Sequence, residues 1–320
     1  MTCPRPALVV LPLLVFAASC DRVQSAATGE QVTIRLSTGS PTGNFRPFSE
    51  ALVRGYARLM PDVRIQPIDT PGSVHNMEAL QDGSVDIGLA QAGIAYMAYN
   101  GRLRELERPL QDIRGIAVLN SSEVHLLVGP GSPIRSMDEL RGRRVGIGPD
   151  GGGLAITSQT VLDGYFPSGD VQAVNATVPR TMELLLSNAL DATFTISSVP
   201  NDEAKQLTQA GARLLEVRGP AVNRLRTLYP FFRSRIIPAG SYPGQHQPVQ
   251  TLSVDVVLLA RAGVDAAIVR RLTDGLFRML PHLSAELPFL KGMAAERAPA
   301  TPVPLHPGAA LYYRERELRR

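Results

Sequence analysis

The sequence predicts an α/β protein with mostly parallel sheets. Three observations predict it. Short apolar strand segments alternate with segments of helical period from Thr33 onward. A glycine-rich strand-to-helix turn occurs twice. The chain, 320 residues long, has room for two lobes built this way. Ligands of such sheets bind beyond the carboxyl ends of the strands.

Thr33 to Thr38 alternates as a strand, and Gly39 to Phe45 is a turn carrying two glycines and several hydroxyls. Phe48, Leu52, Gly55, Tyr56 and Leu59 then fall at helical spacing. Val63 to Ile65 is a second strand. Ser73 can cap a helix from Val74 to Gln81, with Gly83 as its stop signal. Val85 to Ala90 is the next strand, and Gln91 stands at its end. Ile116 to Leu119 and Val124 to Val128 read as separate strands around Asn120-Ser121-Ser122-Glu123. Ser136 caps a short helix, Met137 to Leu140.

The strand Arg144 to Gly148 runs into Pro149-Asp150-Gly151-Gly152-Gly153 and a helix from Leu154 to about Leu162. A helix from Thr181 to Ser187 leads to the strand Ala192 to Ile196. Leu214 to Val217 and Thr251 to Ala260 are further strands. Val264, Ile268, Leu272, Leu276 and Leu280 mark a long amphipathic helix.

A glycine-rich turn leaves backbone N–H groups free at the N-terminus of the following helix. Those donors and the positive end of the helix dipole favour an anion such as a carboxylate. The first turn is neither a phosphate loop nor G-x-G-x-x-G. Its glycines also have a purely steric reading, and Gly151-Gly152-Gly153 also reads as a flexible surface loop. Two helix N-termini facing each other would clamp a small anion from both sides, which is binding geometry and needs no catalytic group.

The remaining composition narrows the function. The net charge is +4, and Lys205 and Lys291 are the only lysines among 33 basic residues. The arginines near the C-terminus sit beside Glu315 and Glu317 and read as a solvated helix rather than a nucleic-acid patch. Cys3 and Cys20 are the only cysteines, so residues beyond them form no disulfide and no cysteine-based metal site. Metal-ligand spacing, triad order, paired-carboxylate motifs and cofactor loops are absent. The expectation is therefore no catalytic residue, no metal and no cofactor.

The chain opens with one positive charge and an apolar run, Ala7 to Ala18, too short to span a bilayer, which reads as a signal peptide. Ala17-Ala18-Ser19-Cys20 resembles the lipobox of bacterial lipoproteins, with Cys20 as the lipidated residue. Cleavage after Ala27 is the alternative. With Asp21 after it, Cys20 implies a lipid anchor at the inner membrane on the periplasmic side. The expected order is a signal at 1–19, then a tether at 20–30.

Four stretches carry a more specific resemblance: Thr38 to Pro47; Thr70 to Asn76 with Asp86 to Gln91; Glu123 to His125 leading into Met137 to Val145; and Gly148 to Leu154. In this order the chain resembles the TAXI family, the solute-binding subunits of tripartite ATP-independent periplasmic (TRAP) transporters. The resemblance implies a type II periplasmic-binding-protein fold, two α/β lobes around a central cleft. It places residues 31–121 with 252–320 in lobe I and 122–251 in lobe II, with crossings near Ser121 and Thr251. It implies a monomeric receptor that captures a small anionic organic solute, of amino-acid or dicarboxylate type, and delivers it to a TRAP-type membrane permease. An ABC-type binding protein or a periplasmic ligand sensor of the same fold is the alternative.

The binding residues that follow are Thr38, Gly39, Ser40, Gly43, Asn44 and Phe45 in the first turn; Ser73, Asn76 and Gln91; and Gly151, Gly152 and Gly153. Ser73 can bond ligand, cap its helix, or both. Arg46 either pairs with a ligand carboxylate or faces solvent, and His125 is expected to make a structural hydrogen bond. The family's Thr-Tyr-Tyr, Gln-Ser-Asp and Gly-Ser-Gly-Thr are Asn44-Phe45-Arg46, Gln91-Ala92-Gly93 and Gly151-Gly152-Gly153-Leu154 here. Several hydroxyl donors are thus replaced, and the resemblance implies a different specificity.

Overall fold

In the computed structural model, which describes residues 31–39, 45–287, 290 and 293–318, the chain is a mixed α/β fold around one twisted sheet. Cys20, Ser40, Gly43 and Asn44 lie outside the described residues, as do the signal and tether segments. The first unit runs β1 (Val32–Gly39), α1 (Arg46–Leu59), β2 (Val63–Asp69), α2 (Ser73–Asp82) and β3 (Ile87–Gln91), followed by α3 (Ala92–Tyr99). β1 lies between β2 and β3 and is parallel to both. Ile34 and Leu36 are buried on one face of β1, as period-two alternation requires.

The same arrangement recurs as β5 (Arg144–Gly148), α4 (Gly153–Tyr165), β6 (Gln172–Asn175), α5 (Val178–Leu186) and β7 (Ala192–Ser197), followed by α6 (Asp202–Gln209). β5 lies parallel between β6 and β7. The likeness extends to details. The register shifts between Ser37 and Gly39 in the first unit and between Gly146 and Gly148 in the second. Both shifts end on a glycine of positive φ, 80° at Gly39 and 98° at Gly148, a conformation that disfavours a side chain.

An arginine–aspartate lock also recurs. The Arg35 backbone N–H donates to Asp86 Oδ2 at 2.9 Å, its guanidinium donates to the same carboxylate, and its Nη2 donates to the Gly83 carbonyl. Arg144 does the same with Asp191 and the Asn188 carbonyl. Gly83 (φ 80°) and Asn188 (φ 58°) end α2 and α5 in the left-handed region. Burial pushes the Asp86 carboxyl up, but the Arg35 hydrogen bonds outweigh it and hold the group below the usual range. The Arg144 hydrogen bond likewise holds Asp191 low.

Two long strands join the units. β4 (Ile113–Val128) and β10 (Val249–Arg261) are antiparallel to each other. The latter half of β10 pairs with β3, while Val249 to Ser253 pairs with β9 (Arg233–Ile237). The latter half of β4 pairs with β7 and with β8 (Arg213–Leu215). The strand order is β2-β1-β3-β10-β4-β7-β5-β6.

β4 corrects one expectation. Asn120 to Glu123 does not separate two strands, because these residues pair with Val256, Asp255, Val254 and Ser253 of β10. Cross-strand pairing outweighs their turn-forming composition. Ser136 does not cap a helix with its side chain. It precedes a 3-10 turn, Met137–Leu140, and its hydroxyl lies 3.3 Å from Glu139. α3 lacks an amphipathic signature because it is buried almost all round.

α7 (Pro220–Leu228) packs against α4, and α8 (Ala266–Glu286) packs against α1 and α9 (Pro307–Glu317). α8 continues through Pro281 on its exposed side. One apolar core lies where α1, α8 and α9 cover the first unit; its Tyr56 hydroxyl donates to the Leu272 carbonyl at 2.8 Å. A second core fills the space around α3 and α4, and a third, smaller one lies around α6.

Candidate functional site

A cleft of about 1080 Å³ opens at the carboxyl ends of the parallel strands of both units. Gly39 and Gln91 reach it from β1 and β3, Pro149 from the end of β5, and Ser197 from β7. The topology places it there: each parallel strand delivers its following helix N-terminus to the same rim.

The helix starts are unevenly furnished. α2 is preceded by Gly72, α4 by Gly152 and α5 by Thr177, and all three residues line the cleft. None of these caps makes a side-chain cap hydrogen bond, and none of the three helices has an acid in its first turn. Their leading N–H groups and dipoles therefore stay available to an anion. α6 differs. Asn201 Oδ1 caps it by accepting from Ala204 N–H at 2.7 Å, and Asp202 and Glu203 occupy its first turn.

Of the residues expected from sequence, Gly39, Phe45, Ser73, Gln91, Gly152 and Gly153 line the cleft. Gly153 faces the first unit closely: a Cβ there would lie 3.1 Å from Ser73 Oγ and 3.4 Å from Gln91. Ser73 is the first residue of α2 rather than its cap, and its Oγ accepts from the Gln91 N–H at 3.2 Å. Gln91 Oε1 in turn accepts from Thr157 of α4 at 2.7 Å, which ties the two units together.

Three expected residues do not line the cleft. Thr38 is buried and its hydroxyl donates to Asp69 Oδ1 at 2.8 Å, so it holds the end of β2 in place. Asn76 is fully buried, its Nδ2 donating to the Leu89 carbonyl and its Oδ1 accepting from Thr70. Its role is to fasten α2 to β3. Gly151 supplies a positive φ of 65° to the turn. Arg46 is drawn to Glu50 at 2.7 Å and Asp69 at 2.5 Å, which leaves its fork engaged within the protein. His125 makes structural contacts, to the Glu123 carbonyl and to the Tyr242 hydroxyl from far along the chain.

Sequence reasoning missed the second unit's share of the lining beyond the glycines. Asn120 and Ser122 come from β4, Thr195 from β7, and Asp202 and Glu203 from α6. The internal repeat was the signal that could have found the last two, because α6 follows β7 as α3 follows β3. Among the described residues, the charged side chains of the lining are all carboxylates: Asp69, Glu183, Asp202 and Glu203. Asp69 is neutralised by Arg46, and Glu183 by an exposed partner, Arg180, at 2.9 Å.

The family model described as the NMT1-like family matches residues 36–316. Among solved structures, a chloride-bound XAC2383 from Xanthomonas citri superposes with a TM-score of 0.53 at 13% identity, covering 89% of this chain and 99% of that one. A putative L-cystine ABC transporter protein from Listeria monocytogenes gives 0.51 at 13% identity, covering 83% and 98%. An ancestral arginine-binding protein bound to arginine gives 0.50 at 15% identity, covering 84% and 99%. At these identities the likeness is one of fold: this chain has the mixed α/β fold of periplasmic binding proteins.

Proposed function

This chain belongs to the NMT1-like family, and from that premise we propose that it is an extracytoplasmic solute-binding receptor. The observation that carries the reading is the convergence of three uncapped helix starts, at Gly72, Gly152 and Thr177, on one cleft between two repeated units. A carboxylate of the solute binds the free N–H groups of these helices. Residues 31–121 with 252–320 and residues 122–251 act as lobes, with β4 and β10 as the strands that bend between them. Closure is favoured because contacts to the solute from both lobes exist only in the closed form. No step in this cycle is catalytic.

The finer reading follows the resemblance of the four motif stretches to TAXI receptors. The loaded receptor, a monomer, docks to a TRAP-type membrane permease, and Cys20 carries the lipid anchor that keeps it at the inner membrane.

The test is a thermal-shift screen of the purified protein against amino acids and organic acids. A native-state ligand at a hundred times Kd adds about 2.7 kcal/mol and raises the melting temperature by about 5 °C or more. Gly153→Val is expected to abolish the shift, because its side chain would press on Ser73 and Gln91 at the mouth of α4. Gly152 is a poorer probe, since a Cβ there meets the Pro149 carbonyl of its own turn at 2.9 Å. The absence of any shift with every carboxylate-bearing solute would overturn the receptor reading.

A further inference from the structure

The cleft is electrically one-sided. The uncapped helix starts of α2, α4 and α5 offer positive ends, while Asp202 and Glu203 stand at the start of α6. Among the described lining residues there is no arginine, lysine or histidine to offset those two carboxylates. In the other unit the equivalent first turn, that of α3, begins Ala92-Gly93 behind the N-cap Gln91 and carries no acid. First-turn acids stabilise their own helix, so Asp202 and Glu203 have a local role too.

A second observation points to a ligand independently. Thr195 is 4% exposed and Ser122 is 8% exposed, yet both line the cleft and neither hydroxyl has a hydrogen-bond partner among the described residues. Neither oxygen is sealed off: both open onto the cleft, where they are free to bond a solute.

Resting on the receptor reading above, we infer that the solute is a carboxylic acid that also carries a protonated amine or guanidine. Its carboxylate sits at the starts of α2 and α4. Its cationic nitrogen sits toward Asp202 and Glu203, and the hydroxyls of Ser122 and Thr195 complete its polar contacts. A dicarboxylate would bring its second negative charge toward the α6 carboxylates and be rejected. Specificity here comes from a repulsive element as much as an attractive one.

The probes are L-arginine, L-lysine and L-glutamine, set against glutarate, succinate and valerate, with affinities measured by calorimetry on the full mature protein. At least one amine-bearing acid is expected to bind about tenfold or more tightly than either dicarboxylate. The double variant Asp202→Asn/Glu203→Gln is expected to weaken that ligand by about tenfold and to leave valerate, which has no nitrogen, within about twofold. Raising the salt from low to high concentration is expected to weaken the amine-bearing ligand in the native protein and much less in the variant. The single variant Glu203→Gln serves if the double variant melts before assay temperature. Tighter binding of glutarate or succinate, or an amine-bearing ligand indifferent to both variants and to salt, overturns this inference and leaves the receptor reading standing. Binding of none of the six overturns both.

Discussion

His125 is fully buried on β4, its Nδ1 2.9 Å from the Glu123 carbonyl oxygen and its Nε2 2.8 Å from the Tyr242 hydroxyl. Burial pulls its pKa from 6.5 down to about 4. The unfolded chain therefore takes up a proton near pH 6.5 that the folded protein refuses. Stability carried by neutral His125 is fully present above pH 6.5 and lost as pH falls toward 4, by about 3 kcal/mol in all. Glu123, two residues earlier, has the opposite sign. Burial pushes its pKa from 4.5 to about 7, against the pull of Arg235. The folded protein then holds the proton that the unfolded chain releases, so this contribution is present below pH 4.5 and lost as pH rises through 7. Denaturant melts between pH 7.5 and 4.5 are expected to show a flatter acid decline for His125→Gln and a steeper one for Glu123→Gln. Parallel curves for all three proteins would refute the assignment. The sequence showed His125 in a strand with Glu123 beside it, but the Tyr242 partner comes from far along the chain and had no local signature.

At the scale of elements, amphipathic helices were legible and buried or edge elements were not. α1 and α8 announce themselves by spacing, and their apolar faces do pack together. α3 carries no polar face to mark its period, and β6 and β9 are short, with few buried residues. The most informative unread pattern was the repeated end of α2 and α5. Gly83 and Asn188 each take a left-handed conformation, and Asp86 and Asp191 each follow three residues later to lock an arginine on the adjacent parallel strand. α9 shows how tightly elements are fitted. His306 caps it, with Nδ1 accepting from Gly308 N–H at 3.2 Å. A Cβ on Gly308 would lie 2.1 Å from the Ala266 carbonyl oxygen of α8. Backbone cannot yield as a side chain does, so Gly308→Ala is expected to cost about 2 kcal/mol or more, measured by chemical denaturation. A loss within about 0.5 kcal/mol would mean that α9 can slide on α8 freely.

At the scale of the molecule, two βαβαβ units share one sheet through β4 and β10 and present their helix starts to one cleft. The proposed lobes are bridged by the Thr157–Gln91 hydrogen bond and by the close approach of Gly153 to Ser73, contacts that belong to a closed arrangement. If closure follows binding, saturating solute is expected to reduce the radius of gyration in small-angle scattering and to narrow the distribution of shapes. An unchanged scattering curve with a clear thermal shift would place the capture of solute within an already closed protein, and the lobe movement would fall.

The sequence by itself determined the α/β class, the order of most strands and helices, and the recurrence of a glycine-rich turn. These depend on local periodicity and on backbone conformations that few residues tolerate. It also pointed to Gly39, Ser73, Gln91 and Gly153 through motif resemblance, and all four reach the cleft. Only the tertiary structure decided which hydroxyls and amides are free. Thr38 and Asn76 look like ligand donors in sequence, yet partners on β2, β3 and the Thr70 loop consume them. Ser122 and Thr195 look like ordinary strand residues, yet folding sets their hydroxyls on the cleft with no partner among the described residues. A polar group's role is set by what surrounds it after folding. Pairings between distant segments, such as β4 with β10 or α6 with the cleft, leave no trace in local spacing.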